Sequence, residues 1–149
     1  MKILKKKGFT LVEIMIVVAI IALLAAIAIP NLLRARLNAN EGAAIGNMHT
    51  LVTALGSYQA NQSPASYPVQ ASAVGIVNLT TPLSDPPYID TVLAGGTKQG
   101  YTFTYAGTQY AYTLVAAPAE LGRTGNRSFF ADESGVVRVG TDATGTPIE

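Results

Sequence analysis

A lone carboxylate at the start of a long apolar run offers the clearest chemistry in this chain. Glu13 follows Gly8-Phe9-Thr10-Leu11-Val12 and precedes an unbroken apolar stretch from Ile14 to Ile29. Hydrolysis of the Gly8–Phe9 bond would create an α-amino group at Phe9, with an ordinary pKa of about 7.7–8.0. Phe9 and Glu13 are four residues apart, hence on one face of a helix, and the positive pole of the helix dipole favours an acid in the first turn. Such a cut would supply Glu13 with a cationic partner, in its own helix or in a neighbouring one. Opposite charges attract strongly in a low-dielectric interior, where each alone is heavily penalised. Helices of this kind would settle side by side where amine meets carboxylate.

Other reactive constellations are poorly supplied. The 149 residues include no cysteine, which excludes disulfides, thiolate metal sites and thiol catalysis. A histidine metal site or a hydrolytic triad would rest on His49 alone, which reads as an inert, partly exposed residue beside Met48. Asp85 and Asp90 read as loop residues rather than an acid–base pair. Asp132, Glu133 and Asp142 read as turn-forming acids on a solvated surface. No catalytic residue, metal site or cofactor is expected.

The charge distribution separates a leader from the rest. Lys2, Lys5, Lys6 and Lys7 fall in the first seven residues, where there is no acid. Without residues 1–8, six basic side chains face nine acidic ones, a balance of −3. A domain of that sign lacks the basic footprint that phosphate binding needs, so nucleic acid is not indicated as a partner.

From Ile14 to Leu33 there are twenty uncharged residues. As a helix rising about 1.5 Å per residue they span roughly 30 Å, the hydrocarbon thickness of a bilayer. Four lysines before this run and two arginines (Arg34, Arg36) after it place the N-terminus on the cytoplasmic side. An ordinary secretory signal cut after Ala28 would fit the small-residue pattern. It gains nothing from Glu13, because an acid that reaches the bilayer centre costs about 2.5–3.5 kcal/mol. A retained helix that packs on its own copies could use it.

The segment Lys5-Lys6-Lys7-Gly8-Phe9-Thr10-Leu11-Val12-Glu13-Ile14-Met15-Ile16 resembles the processing signature of type IV pilins and of the pseudopilins of type II secretion. The resemblance implies cleavage after Gly8 by a prepilin peptidase, N-methylation of Phe9 and an assembly role for Glu13. It implies polymerisation with copies of the same chain by an inner-membrane assembly machinery, and a backbone that extends near Pro30 on packing. Major pseudopilins hold calcium in a C-terminal loop; calcium takes about six to eight oxygens, and no dense Asp/Asn/Gly run provides them here. Many type IV pilins close a C-terminal loop with a disulfide, which this cysteine-free chain does not have.

The elements that would carry this anchor are legible further on. Ala44, Met48, Leu51, Leu55 and Tyr58 step by three and four, an amphipathic helical stripe that the C-terminal part must cover. Pro30 interrupts the two helical halves by removing a backbone hydrogen bond, so a kink or an unwound patch is expected there. From Asn61 to Pro87 the chain reads as loop, with one short strand at Gly75–Leu79. Tyr101–Tyr105 and Tyr110–Leu114 alternate as strands around a Gly107-Thr108 turn, opposing Tyr105 with Tyr110 and Phe103 with Tyr112. The tyrosines read as the core-facing side of that sheet. A second hairpin joins Ser128–Ala131 to Val136–Val139 through Asp132-Glu133-Ser134-Gly135, with type I turn preferences. Its sequence is similar to the terminal hairpin of cysteine-free pilin-like proteins.

The expected architecture is α+β: a long N-terminal helix packed on a small antiparallel head of three or four strands. Its parts are a cleaved leader (1–8), a transmembrane and assembly half-helix (9–33), an amphipathic half-helix (34–60) and a globular head (61–149). The resemblance implies a pilin stored in the inner membrane and assembled into an extracellular filament. The alternative is a major pseudopilin of a periplasmic secretion pseudopilus. A monomeric, membrane-anchored periplasmic binding domain is the rival from another class, and no pocket motif supports it.

Overall fold

The structure, a computed structural model, describes residues 8–80 and 86–148. The leader lysines Lys2, Lys5, Lys6 and Lys7, and Asp85, lie outside the described residues. Helix α1 runs over Leu11–Asn61. The chain divides into two compact units, one reaching to Ala35 and one starting at Arg36.

In the first unit, straight-chain and branched apolar residues favour helix with little to interrupt them. Large apolar side chains from Phe9 to Leu33 are all exposed. The most apolar eighteen-residue window of α1 has a mean hydropathy of 3.0, and the helix is long and apolar enough to cross a membrane. Pro30 sits inside α1, and the helix is assigned through it without a break. Lacking an N–H, it leaves the carbonyl one turn earlier without its usual donor.

In the second unit, the stripe expected on α1 is the helical side of the core: Ala44, Met48, Leu51 and Leu55 are buried, and Tyr58 packs against them. They meet a seven-stranded antiparallel sheet made of β1 (Gln70–Val74), β2 (Thr97–Lys98), β3 (Tyr101–Gly107), β4 (Tyr112–Pro118), β5 (Phe129–Asp132), β6 (Arg138–Val139) and β7 (Thr146–Pro147). The order is β1-β3-β4-β5-β6-β7, with β2 also paired to β3. Helix on sheet buries the stripe of one against one face of the other. Tyr101, Phe103, Tyr105, Tyr112, Leu114, Ala116, Phe129 and Ala131 supply the buried face. The α+β architecture is therefore the one the sequence implied, with more strands than its three or four.

Three local expectations are corrected. The strand expected at Gly75–Leu79 lies earlier, at Gln70–Val74. Gly75 turns the chain at a φ of 80°, and Val77–Leu79 form a 3₁₀ turn. The central hairpin has a longer loop: Tyr105 pairs with Leu114, Phe103 with Ala116 and Gly107 with Tyr112. The Thr108 N–H donates to the Ala111 carbonyl at 2.8 Å, and the Ala111 N–H donates to Thr108 Oγ1 at 3.2 Å, closing a loop over residues 108–111. The partner of Tyr105 thus moves by four residues, an even number, so the core-facing side chains that stay in the sheet keep their face. Tyr110 drops out of the sheet and is 75% exposed. In the second hairpin the Gly135 N–H donates to the Asp132 carbonyl at 2.9 Å, as a type I turn requires. Pairing resumes only at Phe130↔Arg138 and Phe129↔Val139, beyond the expected start at Val136. The chain also forms a short helix α2 (Thr91–Ala94) that the sequence reading passed over.

Aromatic contacts tie the sheet together diagonally rather than directly across. Tyr105 and Tyr112 stack with ring centres 6.1 Å apart, and Tyr67 meets Tyr112 edge-on at 4.9 Å. The Tyr105 hydroxyl donates to the Pro68 carbonyl at 2.8 Å inside the protein, and burial pushes this phenol well above its ordinary pKa. Gly107 makes room for that bond, because a Cβ there would lie 2.2 Å from the hydroxyl and 2.3 Å from the Pro68 carbonyl oxygen. Gly107→Ala is expected to destabilise the head by roughly 1–3 kcal/mol through overpacking. Thermal melting of the solubilised variant measures this, and an unchanged Tm would refute the tight approach.

Candidate assembly and processing site

The first turn of α1 shows how Glu13 is held. The Thr10 N–H and the Thr10 hydroxyl both donate to Glu13 Oε2 at 2.8 Å, and the Glu13 N–H donates to Thr10 Oγ1 at 3.2 Å. A helix begins with four N–H groups that have no intrahelical acceptor. Thr10 and Glu13 satisfy two of them reciprocally, as a Thr-x-x-Glu capping box does. The carboxylate is therefore folded back beside Thr10, with its other oxygen unoccupied by any described hydrogen bond. The sequence reading weighed Glu13 for its charge alone. Its signal for the cap, a threonine three residues before a glutamate ahead of an apolar run, was present and passed over.

Gly8 and Phe9 precede the helix and are exposed. Among the described residues beyond its chain neighbours, no atom lies within 4 Å of where a Cβ on Gly8 would stand. Phe9 is 84% exposed and forms the tip of the exposed apolar face. Gly8, Phe9 and Glu13 thus lie together at one helix start, and Pro30 lies apart from them along the same helix.

A second polar centre, which sequence reasoning missed, fastens the head. Glu41 is only 5% exposed. Its carboxylate accepts from the Asn126 N–H at 2.9 Å and from Arg127 Nε at 2.8 Å. Burial pushes the Glu41 carboxyl up, but the Asn126 N–H and the Arg127 guanidinium outweigh it and hold it below its usual range. Around it, Asn40 Nδ2 donates to the Thr124 carbonyl at 3.0 Å and the Tyr101 hydroxyl to the Arg127 carbonyl at 2.9 Å. Arg127 also lies 5.8 Å from the centre of the Phe129 ring. These bonds pin the loop between β4 and β5 onto α1. No sequence signal links residues so far apart in the chain.

The remaining acids work within their own turns. Asp90 caps α2 by accepting from the Leu93 N–H at 2.9 Å, and it pairs with Lys98 at 2.9 Å; Lys98 is the main cause of its lowered pKa. Asp132 Oδ1 accepts from the Ser134 N–H and hydroxyl. Asp142 Oδ1 accepts from the Thr144 N–H at 2.9 Å and hydroxyl at 2.6 Å, which lowers its pKa. Among the described residues no three His, Asp or Glu side chains converge as a metal site would require. His49 is exposed on α1.

Comparison with known proteins finds likeness strongest in the N-terminal segment. Residues 3–29 match the family model described as the prokaryotic N-terminal methylation motif. Type IV wide pilus major component PilA4 of Thermus thermophilus is 69% identical over 35 residues, covering 24% of this chain and 27% of that protein. Type IV major pilin protein PilA of Myxococcus xanthus is 48% identical over 54 residues, covering 36% of this chain and 24% of that protein. This chain thus spans about a quarter of the length of these two relatives. Type II secretion system core protein G of Escherichia coli is 30% identical over 122 residues, covering 76% of this chain and 81% of that protein. No solved structure matches the chain significantly.

Proposed function

Because this chain belongs to the family of type IV pilins and type II secretion pseudopilins, we propose that it is the structural subunit of a bacterial type IV pilus-like filament and not an enzyme. In this reading a prepilin peptidase removes residues 1–8 and Phe9 is N-methylated. The precursor waits in the inner membrane with its N-terminus cytoplasmic and residues 9–33 spanning the bilayer. Assembly moves these helices from lipid into contact with one another, and the head becomes the outer surface.

The observation that carries the proposal is the exposed apolar face of α1 with one carboxylate held at its first turn. Large apolar side chains from Phe9 to Leu33 have no cover among the described residues, a demand that lipid or other helices would meet. In this reading Glu13, held at the first turn by Thr10, accepts a Phe9 ammonium from a neighbouring subunit. The test is the N-terminal residue and mass of the protein recovered from cells. A chain beginning at N-methylated Phe9 is expected; one beginning at Met1 or Ile29 overturns the reading.

A secretion pseudopilus is the second reading, favoured by the length of the match to protein G of Escherichia coli. The surface pilus is preferred for the Ser128–Arg138 hairpin sequence and for the lack of a converging acid cluster among the described residues. Cells should therefore carry long extracellular fibres, and chelation of divalent ions should leave the head's melting unchanged. Fibres confined to the periplasm, or a head that unfolds in chelator, would reverse the preference.

A further inference from the structure

Most charges of the second unit are already matched within it. Lys98 holds Asp90, Arg123 holds Glu120 and Arg127 holds Glu41. Arg138 has its Nε buried. Of the other described charges, Arg36, Asp132, Glu133 and Asp142 make no ion pair; Asp132 is half-buried, the rest are exposed, and Asp142 engages Thr144 within its own turn. Arg34 and Arg36 are exposed on α1 and make no ion pair among the described residues. Asp132 and Glu133 stand at the turn between β5 and β6, also without an ion pair among the described residues. Asp132 engages its own turn through Oδ1 and keeps Oδ2 free of any described hydrogen bond.

The two acids border an open groove of about 450 Å³ floored by Tyr112, Phe130 and Ala111. Asp132 and Glu133 thus set two carboxylates beside an apolar wall, where burial first, and then Tyr67, Asp132 and Glu133, push the Tyr112 phenol upward. An arginine suits such a place, because its aliphatic stem covers apolar surface while its guanidinium meets carboxylates. The groove and Arg36 lie at different levels of the head. A Cβ on Gly135, in the turn that carries the acids, would stand 3.8 Å from Val52, and Val52 is about 24 Å along α1 from Arg36 at 1.5 Å per residue. One chain therefore does not close its own pair. Two unlike surfaces at separate levels make a head-to-tail contact, which repeats into an open helix and not into a closed dimer.

We propose that the groove edged by Asp132 and Glu133 receives Arg34 and Arg36 of a second copy of this chain in the filament. The proposal rests on the filament reading and adds the contact that sets the axial step between heads. Buried apolar helices can slide, whereas a charge pair against a shaped groove fixes one offset.

The test is a charge swap in cells that make the filament, with Arg36→Glu, Glu133→Arg and the double variant. Each single variant is expected to lower sheared filament yield about tenfold, and the double variant to recover to within about twofold of the parent. Precursor level, cleavage and head melting should match the parent in all three. If a single variant is less abundant, Arg36→Gln and Glu133→Gln replace it in the same comparison, with smaller losses expected from each. Normal yield from both single variants overturns the pairing. So does a double variant no better than the worse single one, because the two surfaces then do not meet. A parent protein that forms no filament at all sinks the filament reading itself, a different result from a filament indifferent to these charges.

Discussion

Glu13→Gln is expected to leave the protein membrane-bound and cut after Gly8, yet without filaments. Glutamine keeps a side-chain oxygen for the Thr10 N–H and hydroxyl, which donate to Glu13 at 2.8 Å, so the helix start stays capped. What it loses is charge. In the packed apolar interior proposed for the filament, a Phe9 ammonium without a carboxylate is an uncompensated ion, a situation that costs several kcal/mol per subunit. Glu13→Ala removes both cap and charge and should fail in the same way, with a less stable helix start besides. Counting sheared filaments beside the processed membrane pool separates the two roles. Normal filaments from Glu13→Gln and none from Glu13→Ala would show that the cap matters and the charge does not.

The second large effect concerns the head. Glu41→Ala strips Arg127 and the Asn126 N–H of their shared acceptor. Removing one partner of a buried ion pair costs about 3–5 kcal/mol, and the lower figure applies here because the Arg127 side chain is 54% exposed and can rehydrate. For a domain of this size about 3 kcal/mol lowers Tm by roughly 10–20 °C. The pH dependence has a definite sign. The folded pKa of Glu41 lies below its ordinary value, so its contribution is fully present above the unfolded pKa of about 4.3 and is lost as pH falls through the lower folded value. Thermal melts of the solubilised protein should be flat in this contribution near neutrality and decline in acid. Glu41→Gln should flatten that decline, and an undiminished acid slope in the glutamine variant would assign it to other groups.

Much of this was legible from the order of residues, for identifiable reasons. The apolar half of α1 is legible by length and purity, since twenty uncharged residues in a row are enough to cross a bilayer. The stripe of Ala44, Met48, Leu51 and Leu55 follows from helical period, and the buried faces of the two long strands from alternation. Pairing is harder to read, because alternation fixes a face and not an offset. The turn at Gly107-Thr108 looked tight, but Thr108 closes a longer loop with Ala111 and shifts Tyr105 to Leu114. Short strands such as β2, β6 and β7 have two residues each and no pattern to recognise. The Glu41 centre depends on the sheet bringing Asn126 and Arg127 back to α1, which no local signal announces.

The way the head secures its loops has a practical outcome. The Tyr105 phenol grips the Pro68 carbonyl, Asn40 grips Thr124, and Glu41 grips the segment around Arg127, all without sulfur in the chain beyond methionine. Dithiothreitol and cellular reductants therefore have no crosslink to open, and oxidative folding enzymes are not required for the head to mature. Its weakness lies instead toward acidic surroundings, where a tether made of a carboxylate lets go as it gains a proton.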